Sequence, residues 1–309
     1  MDINEYQQRA ALTDRTPSGD IESPNDAGMI VPLFGMAGEV GQLLSEYKKY
    51  LRDGEAHKLF KDRITEELGD ILWYIANTAT KFKIDLSTIA DSNIRKCQDR
   101  WGEVQDSPLF PGFRPHFDDH YPANEQFPRE FVYCLQQPSP GSVKVAVYVD
   151  GNEITTKLSG LTDNHYDDDG YRFHDVFHVA YAAMLGWSPI LRRALNLKRR
   201  SNPKVDEVED GGRAGVIEEG IAAYVFSYAK DHSFLEGLDG VSYEVLRAIK
   251  NMTSHLEVSV RTNREWEAAI LKGFEIWRTI RNAGSGAIAV NLNRASIDLC
   301  EMPEGTVSR

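Results

Sequence analysis

Between residues 31 and 101, apolar side chains return every three or four positions along three long stretches. That spacing draws each set onto one stripe of an α-helix, and stripes of this kind are stable only when they pack against one another. The N-terminal third is thereby held to a helical bundle. Residues 3–13 supply a first, shorter helix with Tyr6, Ala10 and Leu12 as its apolar positions. A second covers roughly 31–51, opening at Pro32 and carrying Leu33, Met36, Val40, Leu43, Leu44 and Tyr47. The third, roughly 59–82, carries Ile64, Leu68, Ile71, Leu72, Ile75 and Ala76, and a fourth, about 88–101, has Ser87 as its cap. Residues 13–27 read as a loop from their Pro, Gly, Ser and Asn content.

The polar faces of these helices are patterned too. Glu39, Gln42 and Glu46 share one face of the second helix, and Glu67 and Asp70 share one face of the third. Asn93, Lys96 and Arg100 follow in phase on the fourth. Acids that gather a hard divalent cation beside bases that grip phosphate are what metal-assisted attack on a nucleotide polyphosphate requires. One acidic pair on an amphipathic helix is most often a solvated face, and Glu66, pointing away from Glu67, is an example. Three in-phase patterns on successive helices are hard to obtain by accident.

The net charge of −12 argues against an extended nucleic-acid footprint, which needs a basic surface. The polar N-terminus is no secretory signal, no apolar run approaches the length of a membrane helix, and the odd set Cys97, Cys134 and Cys300 lacks metal-site spacing. A reducing, cytoplasmic location is expected.

Taken together, Glu5-Tyr6-Gln7, Gly35-Met36-Ala37-Gly38-Glu39-Val40-Gly41, Lys48-Lys49, Glu66-Glu67-Leu68-Gly69-Asp70-Ile71-Leu72-Trp73-Tyr74 and Asn93…Lys96…Arg100 occur in the order seen in the MazG-like nucleoside triphosphate pyrophosphohydrolases. Residues 3–101 resemble that all-α family. The resemblance implies Mg²⁺, with Mn²⁺ as its substitute, held by Glu39, Glu67 and Asp70. It implies phosphate binding and catalytic support from Lys96 and Arg100, with Asn93 and Lys49 as further substrate contacts. It also implies cleavage of (d)NTP to (d)NMP and pyrophosphate, in a homodimer or homotetramer. The family's second motif Glu is Gln42 here, whose amide oxygen can ligate but brings no charge, and Glu46 is a candidate compensating ligand. The alternative is a nucleotide-binding regulatory protein or sensor with weakened hydrolysis.

Beyond residue 106 the texture changes. Residues 107–128, with five prolines and clustered aromatics, read as a connection between a 1–106 domain and a 129–309 domain. The latter is expected to be mostly helical with a small antiparallel sheet, so that the whole chain is mainly α. Strands are expected at 130–137 and 143–158, with Asp150-Gly151 a hairpin turn. Helices are expected near 171–186, 188–197 (Ser188 cap, Pro189 first residue), 213–230, 241–252 and 262–283, and a short apolar stretch at 287–290. Trp266 and Trp277 share a face and read as core.

His174 and His178 form an i, i+4 pair, the geometry by which two histidines on one helix bind a transition metal. Glu219 is a candidate third ligand, making a second candidate metal site and a second metal-dependent hydrolase activity. Paired interior histidines, bonded to Glu218 or Glu219, are the plainer alternative. The basic run 198–204 is a candidate phosphate cradle or, more simply, part of a solvated loop. The region looks like the long C-terminal extension found in some MazG-like proteins.

Overall fold

A computed structural model describes residues 1–15, 27–101, 116–154 and 161–303, with the side chains at 27 and 99–101 set aside. The chain forms two compact units, Met1–Gln98 and Asp99–Arg309. Among the described residues the fold is mainly α, with ten α-helices and one five-stranded antiparallel sheet.

The first unit contains α1 (Ile3–Thr13), α2 (Ala27–Asp53), α3 (Phe60–Lys81) and most of α4 (Leu86–Trp101). Its buried centre is small: Ala10, Ala76, Ala79 and Leu86, with Tyr6, Trp73 and Ile75 packed against them. Ser87 does not cap α4. The helix starts a residue earlier and is capped from α1, where Gln7 Oε1 accepts the Leu86 N–H at 2.8 Å and Asn4 Oδ1 accepts the Ser87 N–H at 3.1 Å. These side chains satisfy backbone donors that the first turn of any helix leaves open. α2 begins five residues before Pro32, which lies inside the helix and there removes one backbone donor.

Several apolar residues expected in the bundle core are instead exposed. On α2 these are Leu33, Val40, Leu44 and Tyr47, joined by Phe34 at 74% exposure; on α3, Leu68 and Leu72. Among its described residues the first unit has too few helices to wrap α2 on every side. Among the described residues, α2 alone is long and apolar enough to cross a membrane by length and composition; it lies near the N-terminus and carries Glu39 and Glu46 on its polar face.

In the second unit, β1 (Glu130–Ser139), β2 (Ser142–Val149), β3 (Asn152–Glu153), β4 (Ser285–Asn291) and β5 (Ser296–Cys300) form a sheet of order β3-β2-β1-β4-β5. Asp150 and Gly151 both take positive φ (50° and 76°) in the β2–β3 turn, as an Asp-Gly hairpin requires. The expected strand residues 155–158 lie outside the described residues. Phe131, Tyr133 and Leu135 alternate along β1 toward the core, facing the same way as Val143, Val145 and Val147 of β2.

Behind the sheet lies α5 (Asp175–Leu185), every residue of which is buried. Around it are α6 (Pro189–Ala194), α7 (Pro203–Val208), α8 (Gly212–Lys230), α9 (Tyr243–Met252) and α10 (Asn263–Ala283). Ser188 caps α6 as its sequence suggests, Oγ accepting the Leu191 N–H at 3.0 Å. Trp266 and Trp277 are fully buried. In the expected connection, Pro108, Pro111 and Pro115 lie outside the described residues; residues 116–128 belong to the second unit, with Phe127 in its core and Asp118 buried against Arg192 at 2.7 Å. Cys97, Cys134 and Cys300 are free thiols.

Candidate functional site

The acidic cluster of the first unit depends on how closely α2 and α3 pass each other. A β-carbon on Gly35 would fall 2.3 Å from the Tyr74 ring, so this position accepts that ring only because it has no side chain. One helical turn away from each of these residues stand Glu39 and Asp70, with Glu67 a turn further along α3. Carboxylate oxygens of Glu39, Glu67 and Asp70 all come within 4.8 Å of one another.

Glu67 is buried and Asp70 exposed, so the cluster has an inner and an outer acid. Burial, followed by the negative charges of Glu39, Glu66, Asp70 and Glu46, raises the Glu67 pKa above the usual carboxylate value. Like charges held this close are a liability to the fold unless something positive joins them. Gln42 donates its amide N–H to Glu39 Oε2 at 2.8 Å, which fixes the Glu39 carboxylate in place.

Glu46 stands apart from the three acids. It pairs with Lys49 and lies 3.0 Å from His57 Nε2, and the Lys49 hydrogen bond holds its pKa down. Lys49, expected as a substrate contact, is engaged in that pair. His57 was missed in the sequence because it lies on a short turn with no periodic neighbour. Asn93 and Lys96 sit one turn apart on the exposed side of α4, and Asn93 Oδ1 accepts a weak bond from Cys97 Sγ at 3.7 Å. The three-acid cluster does not include them, and the Arg100 side chain lies outside the described residues.

A second cluster is built at the start of α5. Gly170 (φ 83°) turns the chain where a side chain would collide with Arg281, at 2.7 Å from its Nε, and the following tight turn delivers His174. His174 donates Nδ1–H to the Tyr171 carbonyl at 2.8 Å, and its ring stacks on Tyr171 with centroids 4.4 Å apart. His178 donates Nδ1–H to Glu218 Oε1 at 2.9 Å. Both Nε2 atoms then face Glu219 Oε2, at 3.7 Å from His174 and 3.5 Å from His178. Asp175 Oδ1 is 3.7 Å from His174 Nε2, and Asp175 Oδ2 accepts the Tyr133 hydroxyl at 2.6 Å. Tyr133 was not legible as a partner, because it reaches this cluster from β1. Burial works against charge on His178, but the Glu218 and Glu219 carboxylates outweigh it and hold its pKa well above the imidazole norm. His174 is lowered, by burial first and then by His178.

The basic run has a different fate from a phosphate cradle. Arg199 is buried and bonded to both Asp210 oxygens and to Glu257, while Lys198 pairs with Asp206 at 2.6 Å and Lys204 with Glu207 at 3.3 Å. Its charge is largely spent inside the chain.

Two family models match the chain one after the other. The MazG nucleotide pyrophosphohydrolase domain matches residues 35–104, and the MazG C-terminal domain matches residues 113–303. The chain belongs to the family defined by the MazG C-terminal domain, and a MazG nucleotide pyrophosphohydrolase domain precedes that domain in its N-terminal third. It is similar to the Gene 37 protein of Mycobacterium phage L5, 35% identical over 103 residues that make up 32% of this chain and 89% of that protein. No solved structure matches it.

Proposed function

We propose that the first unit hydrolyses nucleoside or deoxynucleoside triphosphates between the α- and β-phosphates, with Mg²⁺, giving the monophosphate and pyrophosphate. The observation that carries this reading is the convergence of Glu39, Glu67 and Asp70 within 4.8 Å, with the Glu67 pKa raised by burial first and then by its acidic neighbours. Three converging carboxylates offer the all-oxygen donors that a hard divalent ion prefers, so the residues present fit Mg²⁺. When bound, the ion would neutralise phosphate oxygens and acidify the attacking water.

The chain's own part is to place charge. Glu39, oriented by Gln42, and exposed Asp70 would hold the outer side of the ion, and buried Glu67 the inner side. Lys96 and Arg100, one turn apart on α4, would stabilise charge on the phosphate chain, with Asn93 as a polar contact.

The exposed apolar residues of α2 and α3 support a homo-oligomer. Gly38, Gly41 and Gly69 have open space where a β-carbon would be. Nothing among the described residues of the unit calls for glycine there, although each costs helix stability of about 1 kcal/mol relative to alanine. A second copy of α2 and α3, approaching closely, would account for both the glycines and exposed Phe34 and Leu44.

Incubation of the purified chain with each NTP and dNTP plus Mg²⁺, with products separated, tests the reading. Monophosphate and pyrophosphate in equal amounts support it, and release of orthophosphate alone contradicts it. Tight binding of one nucleotide without turnover would instead favour a sensor.

A further inference from the structure

We propose that His174, His178 and Glu219 bind a divalent first-row transition-metal ion, Zn²⁺ by preference, in the second unit, with the Asp175 carboxylate beside it. The site is independent of the acids on α2 and α3 and of the reaction proposed for them.

Four observations converge. First, each histidine has its Nδ1 proton committed to an acceptor, Tyr171 O for His174 and Glu218 Oε1 for His178. That leaves Nε2 of each ring turned toward the cluster as the position a metal would take in place of a proton, the usual outer-shell arrangement around metal-ligating imidazoles. Second, His178 is 2% exposed and its Nε2 has no hydrogen-bond partner among the described residues. A buried polar atom left this way is costly unless a ligand completes it.

Third, the spacing suits a metal of this size. Ligand bonds of 2.0–2.2 Å in a tetrahedron put the donor atoms about 3.4 Å apart. The observed Nε2 to Glu219 Oε2 distances are 3.7 and 3.5 Å. Direct hydrogen bonds would draw these atoms closer, as they have drawn the Nδ1 atoms to their acceptors. Fourth, the carboxylates are themselves held. Glu218 also accepts from Ser188 Oγ at 2.6 Å and from the Ile190 N–H at 2.9 Å, and Asp175 is fixed by Tyr133. Such support is what keeps a site within the tolerance a metal demands.

Two imidazoles and a carboxylate select a borderline ion such as Zn²⁺ over Mg²⁺. Glu219, 43% exposed at its side chain, marks the open side of the cluster. Access for the ion, and for any group that completes its coordination, lies there. The residue after the first histidine is an acid, as in helical His-acid-x-x-His zinc motifs, but it is the shorter Asp175.

The rival state is a proton in place of the metal, with His178 as an imidazolium between Glu218 and Glu219. Cobalt(II) separates the two. The full-length Glu67→Gln variant, used to silence the first unit's acids, is stripped with chelator and titrated with Co²⁺, reading the visible d–d absorption. One equivalent with an intense low-coordinate band, displaced by one equivalent of Zn²⁺, is expected. Adding Glu219→Gln, at a half-exposed position that leaves the core intact, is expected to weaken binding about tenfold or more, and Glu218→Gln about ten- to a hundredfold through His178. His174→Gln serves as the ligand variant, with circular dichroism to check folding. Absence of a Co²⁺ band, or an affinity that Glu219→Gln leaves unchanged, overturns the proposal.

Discussion

Gly35 on α2 lies against the ring of Tyr74 on α3, so close that a β-carbon would stand 2.3 Å from it. The contact sets the separation of the two helices one turn away from Glu39 and Asp70. Gly35→Ala is expected to cost about 1–3 kcal/mol of stability by forcing the ring aside, against its edge-on packing on Trp73. In a Tyr74→Ala background the same change should become a gain of about 1 kcal/mol from helix propensity. Chemical denaturation of the four proteins of this cycle measures the coupling; equal effects in both backgrounds would show that the close approach sets nothing.

Glu67 ties function to stability. Its pKa is raised in the folded chain, so its proton is held more tightly folded than unfolded. The associated stability is fully present below the ordinary carboxylate pKa and is lost as pH rises through the raised value. In chelator, wild-type melting temperature should therefore fall across that window by more than that of Glu67→Gln. Mg²⁺ should raise the wild-type melting temperature and leave the variant's nearly unchanged. A variant less stable than wild type in chelator at neutral pH would contradict this account.

Gln42 donates to Glu39 at 2.8 Å. Gln42→Glu replaces that donor with a fourth negative charge. The expected outcome is tighter Mg²⁺ binding, by about tenfold for each 1.4 kcal/mol gained, together with lower stability in chelator. Calorimetric titration with Mg²⁺ reads the first effect. Weaker binding in the variant would mean that the amide is the better partner for the ion.

Within the basic run, Arg199 and Arg200 are adjacent in sequence and opposite in consequence. Arg199→Ala strands Asp210 and Glu257 in the interior and should cost about 3–5 kcal/mol. Arg200→Ala, at an exposed residue bonded to Asn196, should stay within about 0.5 kcal/mol. Urea denaturation distinguishes them.

Phe34→Glu places a charge on the most exposed apolar side chain of α2 among those named above. Sedimentation velocity is expected to show loss of a homo-oligomer that wild type forms. If wild type sediments as a monomer, the glycines and apolar residues of this face need another partner.

The helices of the first unit and the three acids were readable because the information is local: three- and four-residue spacing alone brings Glu67 and Asp70 to one face. What that spacing could not tell was how much of the apolar face the chain itself covers, so Leu44 and Tyr47 read as core and prove exposed. In the second unit the failures follow distance along the chain. β1 pairs with β4 through Gln136 and Ser285, a partner no local pattern announces. β5 has one buried residue, Ile297, and so lacks the alternation of a half-buried strand. Six-residue α7 is too short to show a helical period. Arg199 looked like part of a solvated basic run because its acceptors, Asp210 and Glu257, come from later elements. His174 and His178 were legible as a pair, while the groups that orient them, the Tyr171 carbonyl and Glu218, emerge only with the fold.

The central claim is that Glu39, Glu67 and Asp70 act together on a bound cation to cleave a nucleotide's phosphate chain. It is tested most directly by pyrophosphate release from a preferred (d)NTP, measured against Mg²⁺ concentration for wild type and Glu67→Gln. The account predicts Mg²⁺-dependent turnover in wild type and a loss of about a hundredfold or more in the variant, at unchanged fold. Equal turnover in the two proteins, or wild-type turnover that persists in chelator, would contradict it.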